Sequence, residues 1–424
     1  MTERFHNVVV VGQGYVGLPL AISASHEFPR VFGLDVSRPL VDALSSGVSH
    51  IDSVRDAELR AALARGYTPT LDQGVIMEAD AVIICVPTPL STGRKPDLSS
   101  IEAVAKLLAH TKPGVLVVLE STSFPGTTEE ILLPPLASRG RKIDQDFFLA
   151  FSPERIDPGN QSFGVENTPR LVGGVTERSG NLAAEFYGRF VGTVLQLSGS
   201  REAEMAKLIE NTYRHVNIAL VNELLRVCRG LGIDFWEAQR GAATKPFGFQ
   251  AFWPSSGVGG HCIPIDPQYL LAKAEDELDY TPRFIDLANQ INNSMPRFTA
   301  ARVFEELGKR SEDRERPPLV LVLGVSYKPN ISDMRESSVF RVIDELQELG
   351  AVVFYHDPLI AEIQLAHQAG NLESVPDPYE AARSADCVLV LQAHSFYDFG
   401  RLKRESRLIL DASGSISTGL AARI

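Results

Sequence analysis

Val8-Val9-Val10-Val11-Gly12-Gln13-Gly14-Tyr15-Val16-Gly17 is the stretch on which the fold of this chain turns. Four β-branched apolar residues predict a buried strand, and the glycines after them permit a tight turn into a helix. Close backbone approach there lets a pyrophosphate rest on the helix N-terminus, where free N–H groups and the helix dipole meet negative charge. Asp35 closes the next apolar run, Val31–Leu34, at the distance where a carboxylate grips ribose hydroxyls. A carboxylate there repels a 2′-phosphate, which favours NAD over NADP, although Arg38 stands close by. The bland alternative is a tight turn followed by a surface Asp. Strand, glycines, helix and acid together favour a cofactor crevice made by Gly12, Gly14, Tyr15, Val16, Gly17, Asp35 and Arg38.

Working outward, Ala81–Val86, Val115–Leu119 and Phe148–Phe151 read as further buried strands between helix-like segments. Strands alternating with helices imply crossover units and a parallel sheet. Arg201 to Arg229 contains neither Pro nor Gly and has helical periodicity, which predicts one long helix ending at Gly230 and Gly232. A charged connector, Lys309 to Pro318, precedes a second alternating series: Leu319–Leu323, Val352–Tyr355 and Cys387–Leu391. The expected fold is α/β, with two Rossmann-like, doubly wound parallel-sheet domains joined by a long central helix. The divisions fall at 1–200, 201–308 and 317–424.

Composition agrees with that plan. The 424 residues suit two or three domains at roughly 150 residues each. Hydrophobic residues at 44% and charged residues at 22% are ordinary for globular cores and exclude a largely disordered chain. Lys and Arg number 41 against 53 Asp and Glu, a net charge of −12, which argues against a nucleic-acid partner. The apolar runs are strand-length, so no membrane span is expected, and the polar start carries no secretory pattern. Cys85, Cys228, Cys262 and Cys387 are scattered without paired spacing, which points to a reducing cytosol rather than a disulfide framework.

Several segments carry chemistry. Cys85-Val-Pro-Thr88-Pro and Glu120-Ser-Thr122-Ser fall at carboxyl ends of strands, where an open parallel sheet places its ligand. Thr88 and Thr122 could hold cofactor or water, or equally cap a following helix. Glu204, Lys207, Asn211 and Arg214 share one face of the long helix. That spacing alone favours a solvated face with a Glu204–Lys207 ion pair over an oxyanion and sugar site. Glu154, in Phe151-Ser-Pro-Glu-Arg155-Ile156, is a candidate acid or base, with a surface carboxylate as the default.

Gly257-Val-Gly259-Gly-His261-Cys262-Ile-Pro-Ile-Asp266-Pro267 is the most suggestive segment. Its glycines would let a ligand near the backbone, and a helix is expected to begin at Asp266–Pro267. Cys262 then lies near a helix N-terminus, which favours its thiolate. Cys85 and Cys387 read as small buried hydrophobes, and Cys228 as structural. No further metal-ligand cluster accompanies His261 and Cys262, so no metal is expected. Lys328 and Arg335, after the first strand of the second series, suit a charged nucleotide.

Taken together these segments resemble the UDP-glucose/GDP-mannose (nucleotide-sugar 6-) dehydrogenase family over nearly the whole chain, in order and spacing. The resemblance implies NAD-dependent oxidation of a sugar carbon-six alcohol to a carboxylate in two hydride transfers. Cys262 would be the nucleophile, passing through a thiohemiacetal and a thioester. Lys207 would steady the oxyanion, Asn211 would hold the oxygen and Asp266 would orient water or take a proton. Glu154 would serve hydrolysis, and Thr122 would hold water or cofactor. Glu154, Arg155, Ile156, Lys207, Asn211, Arg214, Gly259 and Lys328 would surround the UDP-sugar, with Thr88 and Arg335 on the NAD side. His261 and Ile265, with Thr244-Lys-Pro-Phe-Gly-Phe249, look like the N-acetylhexosamine branch, most like the UDP-N-acetylglucosamine enzymes. UDP-glucose, GDP-mannose, UDP-N-acetylgalactosamine and UDP-N-acetylmannosamine are the neighbouring options. A two-electron 3-hydroxyacid dehydrogenase and a non-catalytic nucleotide-sugar-binding protein are the distant ones. The family also implies a homodimer or higher oligomer through the long helix, and a bacterial cytosolic role in surface polysaccharide and lipopolysaccharide O-antigen synthesis.

Overall fold

The computed structural model describes residues 4–91, 93, 95–155, 162–260, 262–309, 316–365, 371–416 and 421–424. The chain divides into two compact units, 1–211 with 268–279, and 212–267 with 280–424. The central region 201–308 is shared between them.

In the first unit eight strands form one sheet: β1 (Asn7–Val11), β2 (Arg30–Leu34), β3 (Tyr67–Thr70), β4 (Ala81–Ile84), β5 (Val115–Leu119), β6 (Phe147–Phe151), β7 (Arg170–Gly174) and β8 (Val194–Leu197). Their order is β3-β2-β1-β4-β5-β6-β7-β8. Every pair is parallel except β6 with β7. The apolar runs are continuous because both faces of the sheet are covered. Val8, Val10, Ile83, Leu116 and Val118 enter one core, and Val9, Val11, Ile84, Val117 and Leu119 enter the other. This is the two-residue period of a strand.

The second unit repeats the plan with β9 (Leu319–Leu323), β10 (Val352–His356), β13 (Cys387–Val390), β14 (Ile409–Asp411) and β15 (Ala422–Arg423), ordered β10-β9-β13-β14-β15 and all parallel. A small antiparallel pair, β11 (Glu362–Gln364) with β12 (Asn371–Glu373), stands apart from this sheet. Val320, Val322 and Leu389 face a core shared with Val221, Trp236, Met295 and Ile343 from helices. Leu321, Leu323 and Val390 face the opposite one.

The long helix runs Ser200–Gly230 and a further helix starts at Asp266, both where the sequence places them. The strand expected over Ala81–Val86 stops at Ile84, just before Cys85-Val-Pro, where proline disfavours regular continuation. Strands β3, β7, β8, β14 and β15 are additions that hydropathy did not signal. Among the described residues no helix is long and apolar enough to cross a membrane.

Candidate active site

The glycine turn of the first unit has the form its chemistry demands. Gly12 has φ +89°, and a Cβ there would sit 2.6 Å from the Cys85 carbonyl oxygen. A Cβ on Gly17, the first residue of the helix Gly17–Ala24, would overlap the Gly12 carbonyl, so only glycine lets helix and strand pack. At Gly14 the space around a Cβ is open, as a bound pyrophosphate requires. Tyr15 and Val16 are half-buried beside it. The Asp35 carboxylate accepts from the backbone N–H groups of Gln13 (2.8 Å) and Ser37 (2.9 Å), which fixes the acid at the mouth of the turn. Arg38 is exposed at the start of the next helix. The residues present therefore fit a dinucleotide. Beneath them the Tyr67 hydroxyl donates to Gln13 Oε1 at 2.7 Å, a support that sequence reading missed because neither residue belongs to the glycine pattern.

Along the carboxyl edge of the sheet, Thr88 is buried and its carbonyl accepts from the Tyr269 hydroxyl at 3.0 Å. Lys207 Nζ donates to Thr122 Oγ1 at 2.8 Å, and Lys207 is only 4% exposed. Among the described residues no carboxylate forms an ion pair with Lys207. The solvated face and Glu204–Lys207 pair that spacing favoured are therefore overturned. Glu204 is itself buried and accepts from Gly126 N (2.6 Å), Thr128 N (2.9 Å) and Thr128 Oγ1 (2.7 Å). Burial pushes its carboxyl up to about 7, against the pull of those hydrogen bonds. Helix and loop lie too close for water to reach this face, a tertiary fact that helical spacing cannot contain.

Glu154 is half-buried, its side chain only 7% exposed, rather than a surface carboxylate. Its Oε2 accepts from Arg170 Nη2 at 3.1 Å and its Oε1 from the Arg155 backbone N–H at 2.6 Å. Arg155 is paired with Glu210 at 2.7 Å and donates to the Pro169 carbonyl. Ile156 and His261 lie outside the described residues. Asn211 is half-buried on the long helix, and Arg214 is exposed one turn further on.

In the second unit Cys262 is exposed, and its carbonyl accepts from Asp266 N at 2.9 Å, so the turn carrying the thiol leads straight into the helix Asp266–Leu278. Asp266 is fully buried in the first turn of that helix. The glycines before Cys262 serve packing rather than an open approach. A Cβ on Gly259 would lie 2.9 Å from Tyr327 Cβ, and Gly260 N donates to the Arg335 carbonyl. Lys328 follows Tyr327 in the same loop, and the Arg335 guanidinium chelates Asp333 at 2.7 Å. Ser255, Ser256, Tyr327, Gln392 and Ser413 border a cavity of about 180 Å³ at the carboxyl ends of β9, β13 and β14. No group of His, Cys, Asp and Glu among the described residues could hold a metal.

A dinucleotide turn with its ribose acid, a buried lysine, and an exposed cysteine one turn before a helix define a cofactor-dependent dehydrogenase. The chain belongs to the UDP-glucose/GDP-mannose dehydrogenase family, matching its NAD binding domain over residues 6–191, its central domain over 201–294 and its UDP binding domain over 321–417. It is 35% identical to the NDP-N-acetyl-D-galactosaminuronic acid dehydrogenase of Ralstonia nicotianae, over 97% of this chain and 96% of that one. It is 34% identical to the UDP-N-acetyl-D-glucosamine 6-dehydrogenase of Pseudomonas aeruginosa, over 92% and 90%. The solved UDP-D-ManNAc dehydrogenase of Pyrococcus horikoshii superposes with a TM-score of 0.87 at 30% identity, covering 99% of each chain. The protein is thus an NAD-dependent UDP-sugar dehydrogenase.

Proposed function

We propose that this enzyme oxidises the carbon-six alcohol of a UDP-N-acetylhexosamine, with UDP-N-acetylglucosamine as the leading substrate and its uronate as product. The observation that carries the reading is Lys207, an ammonium buried on Thr122 with no carboxylate ion-paired to it among the described residues. Burying such a charge costs several kcal/mol unless negative charge arrives to meet it, and a developing alkoxide is that charge. For the N-acetylhexosamine, support comes from the His261-Cys-Ile-Pro-Ile265 signature and from the N-acetylated sugars in the relatives' names.

Gly12, Gly14, Gly17 and Asp35 would hold NAD, two molecules of which in turn would supply the oxidising power for the two hydride transfers. Lys207, with Asn211 beside the oxygen, steadies the alkoxide. The Cys262 thiolate adds to the aldehyde carbon, and oxidation of that thiohemiacetal leaves a thioester, so no free aldehyde escapes. In the last stage a water oxygen bonds to the thioester carbon, the C–S bond breaks, Cys262 leaves as thiolate and Glu154 takes the water's proton. Asp266 orients water or takes a proton. Arg155, Ile156, Arg214, Gly259 and Lys328 would hold the nucleotide-sugar, with Thr88, Arg38 and Arg335 on the cofactor side.

The test is NADH formed per mole of UDP-N-acetylglucosamine consumed, with UDP-glucose, UDP-N-acetylgalactosamine and UDP-N-acetylmannosamine alongside. Two NADH and an acid product are expected. One NADH removes Cys262 from the chemistry, and turnover of another sugar alone overturns the substrate.

The enzyme acts, on this reading, as a cytosolic homodimer. Tyr213, Leu220, Leu224 and Val227 form one exposed apolar stripe along the long helix, continued by Leu231 just past its end, with the spacing of a helix–helix seam. The compartment follows from Cys262, which must stay a free thiol to act. Leu224→Glu with Val227→Glu should halve the mass seen by light scattering; an unchanged mass would exclude this seam.

A further inference from the structure

Three charged residues meet at the carboxyl edge of the first sheet, and one of them, Arg170, lies outside every motif in the sequence. Glu120 directly follows β5, Glu154 follows β6, and Arg170 opens β7. Strand β7 is antiparallel to β6, pairing Ala150 with Gly174 and Phe151 with Gly173, and this register carried onward sets Arg170 opposite Glu154. Arg170 is 5% exposed. Its Nη1 donates to Glu120 Oε1 at 2.6 Å and its Nη2 to Glu154 Oε2 at 3.1 Å. The Tyr187 ring lies 4.7 Å from the guanidinium carbon, and the Tyr187 hydroxyl donates to Glu120 Oε1. One buried cation therefore serves two buried carboxylates.

We propose that Arg170 is the positioning residue of Glu154, fixing Oε2 so that Oε1, which also accepts from the Arg155 N–H, is aimed at the hydrolytic water, with Glu120 and Tyr187 anchoring the guanidinium. This rests on the reading of Glu154 as the group that takes the water's proton while the thioester C–S bond breaks. A guanidinium bridging two carboxylates through separate nitrogens is rigid, and its planar fork is what a lysine cannot reproduce. The pairing has an electrostatic side as well. Burial pushes the Glu120 carboxyl above its usual range, against the pull of Arg170 and with the Glu154 charge adding to it, while burial and the neighbouring carboxylates push the Cys85 thiol up. The groups facing the cluster are Arg155 from the loop, Cys85 beyond β4, Tyr187 from the helix Glu177–Tyr187 and Lys207 from the long helix. Removing one carboxylate or the cation changes what remains for Glu154.

Rapid mixing of enzyme, NAD and UDP-N-acetylglucosamine tests this. In Arg170→Met the early burst of two NADH per active site should persist, while the steady-state rate falls about 100-fold as hydrolysis becomes limiting. Arg170→Lys should recover part of that loss. Glu120→Gln weakens the anchor of the guanidinium and should lower the steady-state rate about 10-fold with the burst retained. Burst and steady state falling together in Arg170→Met, or an unchanged steady-state rate in Glu120→Gln, overturns the proposal. A second readout needs no turnover: the carboxylate infrared band absent from Glu154→Gln should shift in frequency in Arg170→Met, which frees Oε2 from the guanidinium, and return part of the way in Arg170→Lys. An unshifted band in Arg170→Met overturns the positioning role. Wild-type enzyme giving one NADH per sugar overturns the function while leaving this second result free to stand.

Discussion

Gly12 and Gly324 occupy the same corner of two different sheets. Each ends the first strand of its unit with a positive φ, +89° and +79°. Each donates its N–H to the carbonyl ending the neighbouring strand, Leu34 at 2.8 Å and His356 at 3.0 Å. In each, the next N–H reaches an aspartate at 2.8 Å, Gln13 to Asp35 and Val325 to Asp357. Beyond that point the two diverge. The first unit enters its helix at Gly17, whereas the second travels through Tyr327, Lys328 and Arg335 and begins its helix only at Val339. Among the described residues no cation pairs with Asp35, while His394 Nε2 lies 3.1 Å from Asp357 Oδ2. The glycine and acid build a corner in both places. A helix N-terminus directly behind it, and a carboxylate held by backbone N–H groups alone among the described residues, are what make one of them a dinucleotide site.

The largest effect that can break this comparison comes from the glycines. Gly17→Ala drives a methyl into the Gly12 carbonyl, and Gly324→Ala places one 2.5 Å from Gln392 Cβ at a positive φ. Both should lower stability by about 3 kcal/mol or more, in the range of severe backbone and packing defects. Only Gly17→Ala should also raise the KM for NAD, at least 100-fold. Calorimetry and initial rates on the folded fraction read the two effects separately. A matching rise in KM for Gly324→Ala would show that both corners take part in cofactor binding.

Next in size is a contrast between buried carboxylates. Glu204 is pushed by burial up to about 7, so the folded state holds a proton that the unfolded chain releases near its ordinary value of 4.5. Its contribution is complete below pH 4.5 and is lost as pH rises to about 7, amounting to about 3 kcal/mol at 1.36 kcal/mol per unit. The transition of the first unit should therefore be higher at pH 5 than at pH 8. Glu204→Gln should flatten that slope, and a slope surviving the substitution would place its source elsewhere.

How far such features were legible in sequence depended on whether they repeat. Continuous apolar runs, chiefly Val and Leu, announced β1, β5, β9 and β13, because a parallel strand covered on both faces has no solvent side to alternate with. Strand β3, Tyr-Thr-Pro-Thr, could not announce itself: an edge strand tolerates proline and needs no apolar run. Gly12, Gly14, Gly17 and Asp35 were readable as a spaced pattern. Glu120, Arg170 and Tyr187 were not, since isolated charged residues look like surface until an antiparallel strand turns one of them inward. Glu204 and Lys207 were misassigned for the same reason, their helix face being closed by the 122–128 loop.

The smallest expected effect separates the two aspartates themselves. Asp35→Ala removes a charged acceptor for ribose hydroxyls and should raise the KM for NAD roughly 10- to 100-fold, the scale of a charge-assisted hydrogen bond. It should also admit NADP, because the repulsion of a 2′-phosphate is gone and Arg38 remains. Asp357→Ala should leave the KM for NAD within about twofold and act on stability instead. Burial opposes the Asp357 charge, yet the His394 hydrogen bond and the Val325 and Leu359 N–H groups hold its carboxyl below the usual range. Its stabilising contribution is present above the unfolded value near 4 and is lost as pH falls below it. The stability gap between wild type and Asp357→Ala should thus be widest near neutrality, about 1–3 kcal/mol, and narrow progressively below pH 4. A gap independent of pH would mean that Asp357 acts by packing alone, and the parallel between the two corners would then stop at their backbones.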